Sequence, residues 1–156
     1  MAACTFFGHN ETPQEAETVL REVIIDLIEN NNANMSYVGN QGKFDGMARR
    51  TLKSLKADYP DIDYAVVLAY MPIEKDESDY RDYSDTIFPD GLENVHPRFA
   101  IAKRNRWMID MADYVVTYVS HGWGGAARFK ELAEKKGKTV INLPDRINRD
   151  KAISSG

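Results

Sequence analysis

The sequence holds one cysteine, Cys4, which leaves no partner for an internal disulfide and makes a reducing cytoplasm the expected location. Its three histidines, His9, His96 and His121, and that cysteine show none of the close ligand pairs that structural zinc sites use, so neither a metal nor a cofactor is expected. No apolar run approaches the roughly 20 residues of a bilayer-spanning helix, so no membrane contact is expected. The opening "MAACTFFGHNE" has no basic segment ahead of a long apolar core, so no signal peptide is expected. Lysine and arginine form only short groups and the net charge is −4, which argues against nucleic acid as a partner. What is present, 43% hydrophobic and 28% charged residues over 156 positions, suits one soluble domain with a substantial core.

Along the chain, short apolar runs alternate with helical periodicity. "CTFFGH" reads as a buried strand ending at Gly8. In "ETPQEAETVLREVIIDLIENNN", Thr12 is placed to cap, Pro13 to open the helix and Glu15 to complete a capping box. Ala16, Val19, Leu20, Val23, Ile24, Leu27 and Ile28 then mark one helical face. "MSYVGNQGKF" repeats the pattern, with Phe44, Met47, Ala48, Thr51, Leu52 and Leu55 on the second face and Pro60 beyond its end. "DYAVVLAYMP" reads as a strand covered on both sides. A third helix, "RFAIAKRNRWMIDMA", precedes the strand "DYVVTYVS"; a fourth, "ARFKELAEKKG", precedes the strand "KTVINL".

Residues 72–97 break this rhythm as an acidic excursion, read as a lid, a segment with its own short strands, or an assembly surface. The remainder predicts a single Rossmann-like domain over residues 1–143, a three-layer α/β/α arrangement with a mostly parallel sheet of about five strands and helices on both faces. Residues 144–156 read as a polar tail. In such sheets ligands bind beyond the carboxyl ends of the strands, where the strand order reverses. "FFGHN", "GNQGKF" and "SHGWGGAAR" all fall on that edge.

These three stretches supply the candidate binding residues. Gly122, Gly124 and Gly125 lack a Cβ, so the backbone can take positive φ and approach a ligand; with Ala126 they would bare N–H groups at a helix start, an anion site. A tight turn packed for its own sake would use the same glycines. In the second turn Gly39 and Gly42 give freedom, Asn40 and Gln41 polar groups, and Lys43 a cation, or else a solvated loop. Arg104 shares a helical face with Ile101, Met108 and Met111, so it must snorkel, find a carboxylate, or clamp an anion in a cleft. Gly8 and His9 end the first strand, where a histidine commonly caps or packs. Trp107 reads as core and Trp123, inside the glycine turn, as a platform for a base. Asp45 and Glu93 stand out as possible acids, although 24 acidic residues leave that choice open.

The order of parts resembles the SLOG superfamily, which includes the Lonely Guy (LOG) cytokinin-activating enzymes and the Rossmann-like domain of the DNA-processing protein DprA. The likeness is sharpest over "RNRWMIDMADYVVTYVSHGWGGAARFKELAEKKGKTVINL". Arg104, Met108, Ala112 and Asp113 match the LOG pattern, and Gly122 and Gly124 match two glycines of its Pro-Gly-Gly-x-Gly-Thr loop. Ser120, His121 and Gly125 depart from it. Arg128 falls where that pattern has the glutamate that acts in N-glycosidic cleavage, and a guanidinium is no base. The resemblance therefore implies binding or sensing of a nucleotide-derived ligand (a nucleotide, ADP-ribose or an NAD-related compound), with Arg104 and Arg128 as clamps. It leaves two alternatives: an N-glycosidic-bond enzyme using a substitute acid, or a DprA-like interaction module. It also implies a homodimer as a possible assembly.

Overall fold

The computed structural model describes residues 2–70 and 86–154. Its sheet has six strands, β1 (Ala2–Gly8), β2 (Ala33–Val38), β3 (Asp63–Val67), β4 (Thr86–Ile87), β5 (Tyr114–Tyr118) and β6 (Thr139–Asn142). They lie in the order β4-β3-β2-β1-β5-β6 with every neighbouring pair parallel. Five helices connect and flank them: α1 (Ala16–Asn31), α2 (Lys43–Asp58), α3 (Pro97–Met111), α4 (Gly125–Lys135) and α5 (Leu143–Ser154). This is the expected Rossmann-like α/β architecture with one strand more than the periodicity predicts.

Alternation along β1 and β5 divides the core. Cys4, Phe6 and Val116 pack with the apolar faces of α1 and α2, while Phe7 and Val115 pack with Met108 and Ile109 of α3 and Phe129 and Ala133 of α4. The faces of α1 and α2 read from spacing are the buried ones, whereas Met111, read onto the Arg104 face of α3, is exposed. Phe44, Met47, Ala48, Thr51, Leu52 and Leu55 of α2 are all buried, as are Ala16, Leu20, Val23, Ile24 and Leu27 of α1. Cys4 is a buried free thiol, its pKa pushed up to about 12 by burial first and Asp113 second.

The differences have local causes. Thr12 does not cap α1, because its hydroxyl donates to the His9 carbonyl at 2.5 Å and its N–H to the same oxygen at 3.1 Å. The chain makes two more turns before α1 starts at Ala16. The polar end beyond residue 143 forms α5 rather than a tail. Leu143 is fully buried in the core, and Pro144 sits in the first helical turn, where a missing N–H breaks no helical bond. β4, only two residues long, pairs with Val66 and Val67 at the sheet edge, too short to show any period. Of the excursion, residues 72–85, where a lid is expected, lie outside the described residues. Residues 86–97 supply β4 and a turn of 3-10 helix at Leu92–Asn94. Among the described residues no helix is long and apolar enough to cross a membrane.

Candidate functional site

The strand order reverses between β1 and β5, and beyond their carboxyl ends lies a cavity of about 550 Å³. That is ample for one nucleotide-sized ligand. Three loops wall it: His9–Thr12 after β1, Gly39–Gly42 after β2, and Val119–Gly124 after β5. The last is fixed from β6, since Asn142 Oδ1 accepts from Thr117 Oγ1 and Val119 N while Asn142 Nδ2 donates to the Val119 carbonyl, each at 2.9 Å.

Helix α4 opens into this cavity. Gly124 is its N-cap at φ 95° and ψ 173°, a conformation that a side chain disfavours, and no side chain caps the turn. The first backbone bond runs from Arg128 N to the Gly124 carbonyl at 3.1 Å, so the N–H groups of Gly125, Ala126 and Ala127 have no acceptor within the helix. A Cβ built on Gly122, Gly124 or Gly125 meets nothing within 4 Å. Packing therefore does not account for these glycines, and Gly124, Gly125 and Ala126 line the cavity.

The second glycine turn differs. Gly42 caps α2 at φ 95° and ψ 168°, but Asp45 in the first turn of that helix turns its carboxylate back to accept from Gln41 N at 3.0 Å. A Cβ on Gly39 would stand 2.6 Å from Asp45 Oδ2 and 3.2 Å from Arg104 Nη1. Gly8 is also a packing glycine, since a Cβ there would lie 2.3 Å from Phe44 Cγ.

Arg104 is buried, 2% exposed, and lines the cavity. Its Nη1 donates to Asn40 Oδ1 at 3.2 Å and the Val67 carbonyl at 2.9 Å, and its Nε donates to Asn105 Oδ1 at 2.7 Å. Burial draws its pKa down, against the Asp45 carboxylate. Asp45 lines the same wall. Burial raises its pKa to about 6, with the Gln41 N–H, Arg104 and Arg49 acting in the opposite direction.

A stack of three rings forms the remaining wall. His9 lies on His121 with ring centroids 3.7 Å apart, and His121 on Trp123, also at 3.7 Å. His121 Nε2 meets Glu11 Oε1 at 2.7 Å. Trp123 at the outer end is 71% exposed. Burial first, and His121 second, lower the His9 pKa; the bond to His121 chiefly lowers that of Glu11.

The cavity thus gathers Gly8, His9, Gln41, Gly42, Arg104, Trp123, Gly124, Gly125 and Ala126 from the candidates. Gly39 and Asn40 do not line it; Asn40 accepts from Arg104, and a Cβ on Gly39 would stand 3.2 Å from that guanidinium. Gly122 and Lys43 are exposed and do not line it. Neither does Arg128, exposed one turn into α4, nor Glu93. Trp107 is partly buried against Tyr37. Residues not selected from sequence but present in the wall are Asn10, Glu11, Asn105 and His121. Glu11 and His121 are 110 positions apart, and only the β1–β5 register, carried on by His9 N to the Tyr118 carbonyl, brings them together.

No protein-family model matches the sequence, and no curated protein matches it. Solved structures do. The DNA processing protein A (DprA) of Streptococcus pneumoniae aligns over 90% of this chain with a TM-score of 0.60 at 16% identity, the match taking in 49% of that protein. DprA of Helicobacter pylori, described with a single-stranded DNA binding mode, aligns over 96% of this chain and 73% of its own, with a TM-score of 0.55 at 13% identity. The chain spans about half the length of the first. The expectation that nucleic acid is a poor partner does not stand: a protein of this fold binds single-stranded DNA. A net charge of −4 sums the whole surface and says nothing of one pocket. By its sheet order and these likenesses, the chain has the Rossmann-like α/β fold seen in DprA.

Proposed function

We propose that this chain binds a nucleotide unit in the pocket between β1 and β5, and meets it as part of single-stranded DNA. The observation that carries the reading is the open first turn of α4, where three consecutive N–H groups lack helical acceptors and Gly124, Gly125 and Ala126 line the cavity. A phosphate there accepts from these amides and lies at the positive end of the helix dipole. Trp123 supplies a face for the base, and such stacking contributes about 1–3 kcal/mol per base whatever the sequence. Arg104, held in the wall by Asn40, Asn105 and Val67, adds a fixed positive charge. The DprA-like fold supports DNA as the form of the ligand.

The second reading keeps the same contacts for a free ligand such as a nucleoside monophosphate, ADP-ribose or NAD. The resemblance to the SLOG superfamily and a cavity sized for one nucleotide favour it. Cleavage of an N-glycosidic bond would fall to Asp45, one of the two carboxylates in the wall with Glu11, because Arg128 cannot act as a base.

Fluorescence anisotropy with labelled oligothymidylate at low and high salt, beside calorimetry with AMP and ADP-ribose, separates the readings. We expect DNA binding that weakens with salt, is displaced by AMP, and drops about tenfold in Trp123→Ala. Binding of AMP or ADP-ribose without DNA would select the second reading. A folded chain that binds none of them would overturn both.

A further inference from the structure

We propose that His9, Glu11 and His121 form a site for a divalent transition-metal ion, two imidazoles and a carboxylate leaving a further position open to the cavity. One ligand atom from each residue lies within 4.8 Å of the other two. The grouping is set by the fold. His9 follows β1 and His121 follows β5, neighbouring parallel strands, and the loop of His9 and Glu11 is closed by Thr12 on the His9 carbonyl.

The second observation is independent of the spacing. His9 is 6% exposed, yet its Nε2 has no hydrogen-bond partner, and neither has His121 Nδ1. Buried side-chain nitrogens are paired with few exceptions in native proteins, and those left over mark places where another species belongs. The Glu11 carboxylate already meets His121 through the other ring nitrogen. A cation that takes lone pairs from both rings and from the carboxylate satisfies all three.

The donor set selects the ion. Imidazole with carboxylate suits zinc, iron, manganese or nickel, whereas magnesium and calcium take all-oxygen shells. Three protein ligands with an open position differ from the closed four-ligand shell of a structural zinc, so the open position would face a ligand oxygen. It lies in the same cavity as the α4 amides.

Geometry also says what must move. Metal bonds of about 2.0–2.2 Å hold ligand atoms roughly 3.3 Å apart, so the 2.7 Å contact of His121 Nε2 with Glu11 Oε1 must open. The two imidazoles lie face to face at 12°, so their in-plane lone pairs run side by side. Ligation requires the His121 ring to swing from the stack, and Trp123, which rests on it, must change its surroundings. Tryptophan emission therefore reports the event without any assay of function.

The test uses the full chain without a histidine tag, no nucleotide, and Zn²⁺ or Co²⁺ alone. Equilibrium dialysis with elemental analysis should find one ion per chain. Co²⁺ should give visible absorption bands of a low-coordinate nitrogen and oxygen site, and Zn²⁺ should change tryptophan emission in the native chain but not in Trp123→Phe. His121→Gln and His9→Gln should each weaken binding at least tenfold, Glu11→Gln should weaken it too, and His96→Gln should leave it unchanged. His121→Gln alters a loop residue, so it keeps the test decisive even where His9→Gln fails to fold, which circular dichroism would reveal. No bound ion, or binding that is indifferent to His121→Gln, overturns the proposal. DNA and AMP binding repeated in a chelator separates this outcome from failure of the nucleotide reading.

Discussion

The first turns of α2 and α4 have nearly the same backbone, glycine N-caps at φ 95° with ψ 168° and 173°, and opposite surroundings. At α2 the chain supplies its own anion: Asp45 folds back onto Gln41 N, and Gly39 leaves just enough room for that carboxylate and Arg104. Neither helix has a side-chain cap, but at α4 the corresponding helical position is Ala127, which has no carboxylate to fold back, and the glycines face open space. The α2 turn thus carries a carboxylate of its own, on Gln41 N just ahead of the first helical amides, and the α4 turn carries none. Glycine content alone cannot tell the two apart; what stands three residues into the helix can.

The largest expected effect exploits the glycines of the two turns. Gly39→Ala forces a methyl group to 2.6 Å from Asp45 Oδ2 and should cost about 2 kcal/mol of stability in denaturant unfolding. Gly122→Ala meets nothing and should stay within about 0.5 kcal/mol of the native chain. Equal losses at both would erase the distinction.

Next comes a transplant. Ala127→Asp gives α4 the self-supplied carboxylate of α2. Nucleotide binding should fall at least tenfold while stability rises by about 0.5 kcal/mol, because the new charge lies at the helix N-terminus. Undiminished binding would mean that the amides of α4 are not the phosphate site.

The smallest effect is one of pH. Burial raises the Asp45 pKa to about 6, so the group's contribution to stability is complete below its ordinary 3.8 and is withdrawn as pH rises through about 6. Above that point its negative charge also faces the ligand. Affinity for oligothymidylate, whose phosphodiesters do not titrate there, should therefore weaken by about threefold from pH 5 to 7.5 on account of Asp45. The contribution is read as the difference from Asp45→Asn.

Much of the frame is legible in the sequence. The faces of α1 and α2 follow 3.6-residue spacing because each meets one continuous side of the sheet. Gly124 before α4 points to its open start because only glycine takes φ near 95° without strain. Shorter or longer-range features are not legible. β4 is two residues long, α5 hides behind Pro144, and Thr12 gives its hydroxyl to His9 rather than to a helix amide. The stack of His9, His121 and Trp123 joins residues more than a hundred positions apart through a strand register that no local pattern encodes. Arg128 shows the converse: it follows the glycine loop closely in sequence, yet one further turn of helix takes it away from the cavity.

The most direct measurement is an amide chemical-shift titration of the isotope-labelled chain with AMP and with oligothymidylate. Saturable shifts centred on the N–H groups of Gly125, Ala126 and Ala127, with those of Lys43, Phe44 and Asp45 left in place, are the expected result. Shifts led by α2, or amides of α4 that stay still while a ligand saturates the chain, would contradict the assignment of the phosphate to α4.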